Sequence, residues 1–314
     1  MKKLILLFAL SITVITGQAQ LVVDQMRHTL FKQTTPFNDR CPGGSAAGCG
    51  PIAIAQILYG YKTPSSSVGT ASYTYGGNTV NVSLDNIVFD WNNILEEYPS
   101  NGYNSVQAAA IADLVYACGA AMNVSYNTST SVTNYARMLY GLQHNLHISV
   151  DSRYLRREFY STAEWIEMLN QQLAEGHPVF YRGTWYFDDQ RADHMFMIDG
   201  VNANGDYHVN FGHGGNGDKY CDINYLNQSG TNPGNRGVCY NNNQVMLINA
   251  FPTPQYNDYP QQACVNEEPI ILNKDTMLNQ LKLNLGESFS LSCRLRNVSD
   301  TKFSINYWLP CCLQ

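Results

Sequence analysis

Apolar positions recur every three or four residues through the first half of the chain and turn into continuous or alternating runs after about residue 178. In the first half, Ile52-Ala53-Ile54-Ala55-Gln56-Ile57-Leu58 follows Pro51 and predicts a helix from Cys49 to about Tyr61. Proline fits the first helical turn because its missing N–H would have been unpaired there in any case. From Val106 to Met122 the apolar set Ala108, Ile111, Ala112, Val115, Cys118 and Met122 forms a helical stripe, which usually marks core packing. A weaker helix is predicted over Thr133 to Gly141. A further one, Ser161 to Glu175, opens on the capping-box spacing Ser161-Thr162-Ala163-Glu164 and stops at Gly176.

The second half reads as strands. Pro178-Val179-Phe180-Tyr181, the run from Asp193 to Gly200, Tyr207 to Phe211 and Gln244 to Ile248 are short apolar stretches. Asn202-Ala203-Asn204-Gly205-Asp206 has hairpin-turn chemistry and folds the third of these back beside the second. An α+β fold follows, with a helical lobe packed against a β-rich one and the cleft between them as the natural site for a pocket. Leu21 to Gly48 is expected to be an extended lead-in. Ser65 to Val88, rich in Gly, Ser, Thr and Tyr, is expected to be a surface excursion with strand character at best. After the domain of residues 20–250, a Pro/Tyr linker over 251–262 leads to residues 263–314. These mostly alternate with period two and suggest an incomplete β-sandwich-like segment, too small to stand alone easily.

The chemistry gathers on three residues. Cys49, in Gly48-Cys49-Gly50-Pro51, lies at a helix start, where unpaired N–H groups favour thiolate over thiol. A bland alternative, half of a disulfide or a small core residue, is the commoner fate of a cysteine in an exported chain. His194 opens an apolar strand, and Asn210 lies on the returning strand, so a hairpin of this length can bring them together. Thiol catalysis needs this set: the imidazole takes the thiol proton and later protonates the leaving amine, and an amide oxygen on the other ring nitrogen fixes the tautomer. In papain-like chemistry His and Asn lie about 130–150 residues beyond the nucleophile. Cys41, in a Pro/Gly loop without a helix start, is the decoy thiol.

With these residues in view the chain resembles the streptopain family of secreted bacterial papain-like cysteine peptidases over most of residues 30–250. The likeness rests on Ala47-Gly48-Cys49 leading into Ala53-Ile54-Ala55-Gln56-Ile57, on Asp90-Trp91-Asn92-Asn93-Ile94-Leu95, and on Pro178-Val179-Phe180-Tyr181. It continues through His194 to Gly200 and Tyr207-His208-Val209-Asn210. The resemblance implies a papain-like two-lobe fold, Cys49 as nucleophile, His194 as general acid/base and Asn210 as the residue orienting it. It also implies extended polypeptide substrates with an apolar side chain accepted near the cleaved bond. Gly48, Arg182 and Phe211 fall in the substrate-binding or oxyanion vicinity. Arg182 stands where the family usually has glutamine, Phe211 and His213 where it usually has tryptophan. Such enzymes commonly carry a long inhibitory propeptide. The lead-in here is too short to form a domain, so latency is expected to come from a separate protein inhibitor or from the environment.

Composition sets the remaining bounds. Lys2 and Lys3, an apolar stretch from Leu4 to Ile15, and small residues before Gln20 read as a cleaved signal over residues 1–19. This places the protein outside the cell, in the periplasm or on the surface of a bacterium. No later stretch is long and apolar enough for a membrane span. The net charge is −6, and losing the two lysines makes it more negative, which excludes a phosphate-backbone partner. Nine cysteines cannot all pair internally, which fits a free nucleophile; Cys221 with Cys239, and Cys264 with Cys293, are candidate bridges. No metal or other cofactor is implied, since His208, His213 and Cys221 match no ligand spacing. Two other functions share the scaffold: a binding protein on a catalytically weak or inactive protease fold, and a papain-like acyl transferase.

Overall fold

In the computed structural model, residues 20–85, 87–126, 131–132, 135–187, 190–228 and 238–253 are described. The signal segment 1–19, the linker from residue 254 onward and the segment 263–314 lie outside them. The first helix, α1 (Cys49–Tyr61), has the bounds its sequence predicts. Residues Gly50 to Leu58 are all buried, so α1 is apolar all round because it runs through the core rather than over it. It ends at Lys62, whose left-handed backbone turns its N–H onto the Leu58 carbonyl at 2.9 Å.

Two further helices follow, the first packed against α1 and the second against the first. α2 (Ser105–Ala121) opens on a capping box that the apolar stripe alone does not reveal. Asn104 Oδ1 accepts from the N–H groups of Val106 and Gln107, and Gln107 returns its Oε1 to the Asn104 N–H at 2.9 Å. α3 (Tyr135–Leu146) continues beyond the expected Gly141. Gly141 is where α3 meets α2 closely: a Cβ there would lie 1.9 Å from the Ala121 carbonyl oxygen.

The excursion from Ser65 to Val88 is a regular hairpin, β1 (Thr70–Tyr75) against β2 (Asn78–Ser83), turning through Gly76 and Gly77, both at positive φ. It reads as polar because most of its residues are at least partly exposed. With β3 (Val124–Tyr126) and β4 (Ser131–Val132) it forms a four-stranded sheet of order β2-β1-β3-β4.

The second sheet carries the site. It is built from β5 (Arg153–Arg156), β6 (Val179–Phe187), β7 (Gln190–Val201), β8 (Tyr207–Asn210), β9 (Lys219–Cys221) and β10 (Asn242–Ile248). These are antiparallel in the order β5-β10-β6-β7-β8-β9. Helix α4 (Thr162–Ala174) opens on the predicted Ser161/Glu164 box. Residues alternate between two cores along β6 and β7. Phe180, Met195 and Met197 pack with α1, α2 and α3; Tyr181, Phe196 and Ile198 pack with Trp165, Leu169 and Leu173 of α4. Burial on both faces is why β7 is a continuous apolar run.

Candidate active site

Gly48, the residue before α1, holds φ at 93°, a conformation that side-chain-bearing residues rarely adopt. The loop leading to it is pinned by Asn38 Nδ2, which donates to the carbonyls of Gly44 and Ser45, and by the Ala47 N–H donating to the Gln33 carbonyl at 2.9 Å. Cys49 therefore enters α1 as a partly buried residue packed against the helical core. Burial pushes its thiol above the ordinary value. The N–H groups of Met195, Gly50 and Cys49 itself and the charge of Arg182 pull the other way without overcoming it. Met195 follows His194 on β7, so the thiol lies against the backbone of the strand that carries the imidazole.

Cys41 is a core thiol. It is buried against Tyr126, and burial raises it to about 11. Cys118 is buried in α2. Cys221 and Cys239 are unbridged. His208, a candidate ligand by composition, is buried with its Nδ1 2.6 Å from Asp199 Oδ1. Among the described residues no group of three or more His, Cys, Asp or Glu side chains is placed to hold a metal ion.

His194 is 6% exposed and belongs to the β core. Its ring lies among Phe196, Phe211, His213 and Tyr240, with the nearest centroids, those of His213 and Tyr240, at 4.8 and 5.0 Å. Its hydrogen bond goes to the backbone carbonyl of Phe211, at 2.9 Å, which corrects the expectation that Asn210 fills this role. The reason is register. Asn210 lies opposite Met197, beside an irregularity in β7/β8 pairing, and its side chain is engaged elsewhere. Asn210 Nδ2 donates to the Thr29 carbonyl at 2.7 Å, and Oδ1 accepts from the Gly212 N–H at 3.0 Å. Asn210 thus clamps the segment that carries the Phe211 carbonyl.

Among the described residues no hydrogen bond joins the Cys49 sulfur to the imidazole. Burial, reinforced by His213 and opposed by the Phe211 carbonyl, lowers the His194 pKa from 6.5 to about 3. Burial thus opposes the charged form of both groups, the thiolate and the imidazolium, whereas the helix start favours the thiolate.

A stability consequence follows from His194. Above about pH 6.5 the ring is neutral in both folded and unfolded chains; below it the unfolded chain binds a proton that the native one refuses until about pH 3. Stability is therefore expected to fall with acidity across that window, by up to about 1.4 kcal/mol per pH unit from this group. His213, also lowered by burial, adds to the slope with the same sign. Thermal melts at stepped pH check this: His194→Gln should show a shallower decline than the unaltered chain, and parallel declines would refute it.

Arg182, 8% exposed, borders the thiol from β6. Its Nη2 pairs with Asp193 at 2.9 Å, its guanidinium lies over the Tyr135 ring at 5.0 Å, and its buried Nε has no partner. Phe211 is fully buried beneath His194. Gly183, opposite His194, has to be glycine: a Cβ would lie 2.2 Å from the Tyr240 carbonyl oxygen. Tyr240, Tyr135 and Gln33 are the residues sequence reasoning missed. Gln33 Nε2 lies 3.3 Å from His213 Nε2, behind the catalytic-type imidazole. None carries a spacing signal, because each comes from a loop or helix end remote in sequence from Cys49 and from the His194 strand.

The chain is similar to several known cysteine proteases. Streptopain of Streptococcus pyogenes is 26% identical over 216 residues, 66% of this chain and 53% of streptopain. The thiol protease/hemagglutinin PrtT of Porphyromonas gingivalis is 27% identical over 300 residues, 90% of this chain and 32% of PrtT. The chain thus spans about half the length of the streptopain it matches and about a third of PrtT. Among solved structures, the active wild-type interpain A cysteine protease of Prevotella intermedia superposes with a TM-score of 0.66 at 28% identity. That match covers 73% of this chain and 95% of interpain A. A prointerpain A fragment from the same organism gives 0.62 at 27% identity, over 74% of this chain and 73% of the fragment. The α+β, papain-like two-lobe architecture is shared with these structures. A family model matches residues 31–221, a span that includes Cys49, His194 and Asn210, and the chain belongs to the Peptidase C10 family.

Proposed function

We propose that the chain is a cysteine endopeptidase, exported by a bacterium, that hydrolyses polypeptides through a thioester on Cys49. The observation that carries this reading is the thiol at the head of α1, set against the β7 backbone one residue from a buried imidazole, in a chain of this family. The Cys49 proton passes to His194 as the sulfur attacks the scissile carbonyl, so the charged pair forms only with substrate in place. The N–H of Cys49 helps to hold the oxyanion. His194 then gives the proton to the departing amine, and water, deprotonated by the same ring, releases the acyl group. The Phe211 carbonyl holds the other ring nitrogen and with it the tautomer.

Export is supported by the charged-then-apolar pattern of residues 1–19. Among the described residues no helix is long and apolar enough to cross a membrane. Incubation of the purified protein with unfolded casein, with and without prior alkylation by iodoacetamide, tests the reading. Fragments that appear only without alkylation are the expected result. Intact casein under all conditions would favour a binding protein on an inactive scaffold. Crosslinked casein without fragments would favour acyl transfer to amines.

A further inference from the structure

Beside Arg182 the chain has a cavity of about 650 Å³ whose lining gathers Arg156, Arg157, Arg182 and Arg191 with Tyr135. Among the described residues of that lining Glu158 is the one carboxylate, and it is paired with Arg156. Asp193 is shared between Arg182 and Arg191, at 2.9 Å from each. Among the described residues Arg157 is held by neutral acceptors, the Ile223 carbonyl and the side chains of Gln244 and Asn224. Four guanidinium groups thus converge on one cavity in a chain whose formal charge is −6. A cluster of this kind is costly to hold together unless something negative visits it.

Two observations join the cavity to the cleaved bond. Arg182, more than nine-tenths buried, lines the cavity and acts electrostatically on Cys49, and its Nε is a buried donor with nothing to donate to. Tyr135 lines the cavity beneath the Arg182 guanidinium, and its hydroxyl feels the charges of Arg182, Arg191 and Cys49 together. The cavity thus shares Arg182 and Tyr135 with the electrostatic surroundings of Cys49, and it is large enough for one long side chain and its waters. Guanidinium groups match carboxylates in shape and charge and bind them through paired N–H donors.

We propose that this cavity is a substrate subsite for an acidic side chain, Glu or Asp, within a few residues of the cleaved bond. The proposal rests on the peptidase reading above. It differs from the apolar preference implied by the resemblance and follows from arginine at position 182.

The test is a set of peptide pairs with Glu or Gln at each position flanking one cleavable bond. Because both members of a pair meet the same enzyme preparation, their kcat/KM ratio is insensitive to how much of it is folded. At one position the Glu peptide is expected to be favoured by about tenfold, the contribution of one charge-assisted hydrogen bond. In Arg182→Gln and Arg191→Gln that ratio should fall toward one. A ratio of one or below at every position, or a preference that both variants retain, would overturn the proposal. If neither peptide is cleaved, the peptidase reading fails separately. Dissociation constants of the same pairs on Cys49→Ala, read by fluorescence anisotropy, then decide the subsite: tighter binding of the Glu peptide supports it, and equal binding overturns it.

Discussion

Cys49→Ala and His194→Ala are each expected to lower casein hydrolysis by about 10⁴-fold or more, and the double variant to lose little beyond either. The two side chains act as one unit: without the imidazole the thiol keeps its proton, because burial has already raised it, and without the sulfur there is no acyl acceptor. Strict additivity of the two losses would mean that they serve different steps. Kinetics with a fluorogenic peptide and a thermal melt of each variant separate chemistry from folding. Cys49→Ala removes only a single sulfur and should melt near the unaltered chain. His194→Ala leaves a void among Phe196, Phe211, His213 and Tyr240 and should melt lower, by about 2–4 kcal/mol of stability.

Asn210→Ala is expected to be at least as damaging to the fold as to the reaction. It strands the Thr29 carbonyl and the Gly212 N–H at a position where Asn210 is 1% exposed. Leaving two such groups unpaired costs about 2–5 kcal/mol. The same loss frees the Phe211 carbonyl to drift from the His194 ring, so kcat should fall while KM changes little. A direct contact from Asn210 to the imidazole would instead make turnover fall at constant melting temperature. Paired calorimetry and kinetics on Asn210→Ala distinguish the two, and an unchanged melt would refute the clamp.

Local order was legible in the sequence wherever short-range chemistry sets it. Helix α1 is bounded by Gly48 and Lys62, α4 by Ser161 and Gly176, and the β7/β8 hairpin turns through Asn202 to Asp206, all from residues within a few positions of the break. Register was not legible. The irregularity between Ile198 and Gly200 shifts pairing so that Met197 faces Asn210, and no local feature announces it. For that reason the sequence offers Cys49 and His194 as candidates, while the acceptor on the ring, a backbone carbonyl, is visible only in the fold. The burial that opposes charge on the pair was hidden for a related cause. A helix start is visible in sequence, but the aromatic enclosure from Phe211, His213 and Tyr240 is assembled only by tertiary packing. The β1/β2 hairpin escaped because partly exposed polar strands lack the apolar alternation that marks a half-buried one. The arginine-lined cavity is likewise assembled from β5, β6, β7 and β10, whose basic residues look like unrelated surface charges along the chain.

The central claim is that one sulfur, Cys49, carries the acyl group. Its most direct test is to find which thiol bears the label in protein that iodoacetamide has just inactivated. Peptide mapping is expected to place the carbamidomethyl group on Cys49, in proportion to the hydrolysis lost. Activity lost with Cys49 unmodified and the label on Cys41, Cys118, Cys221 or Cys239 would contradict it.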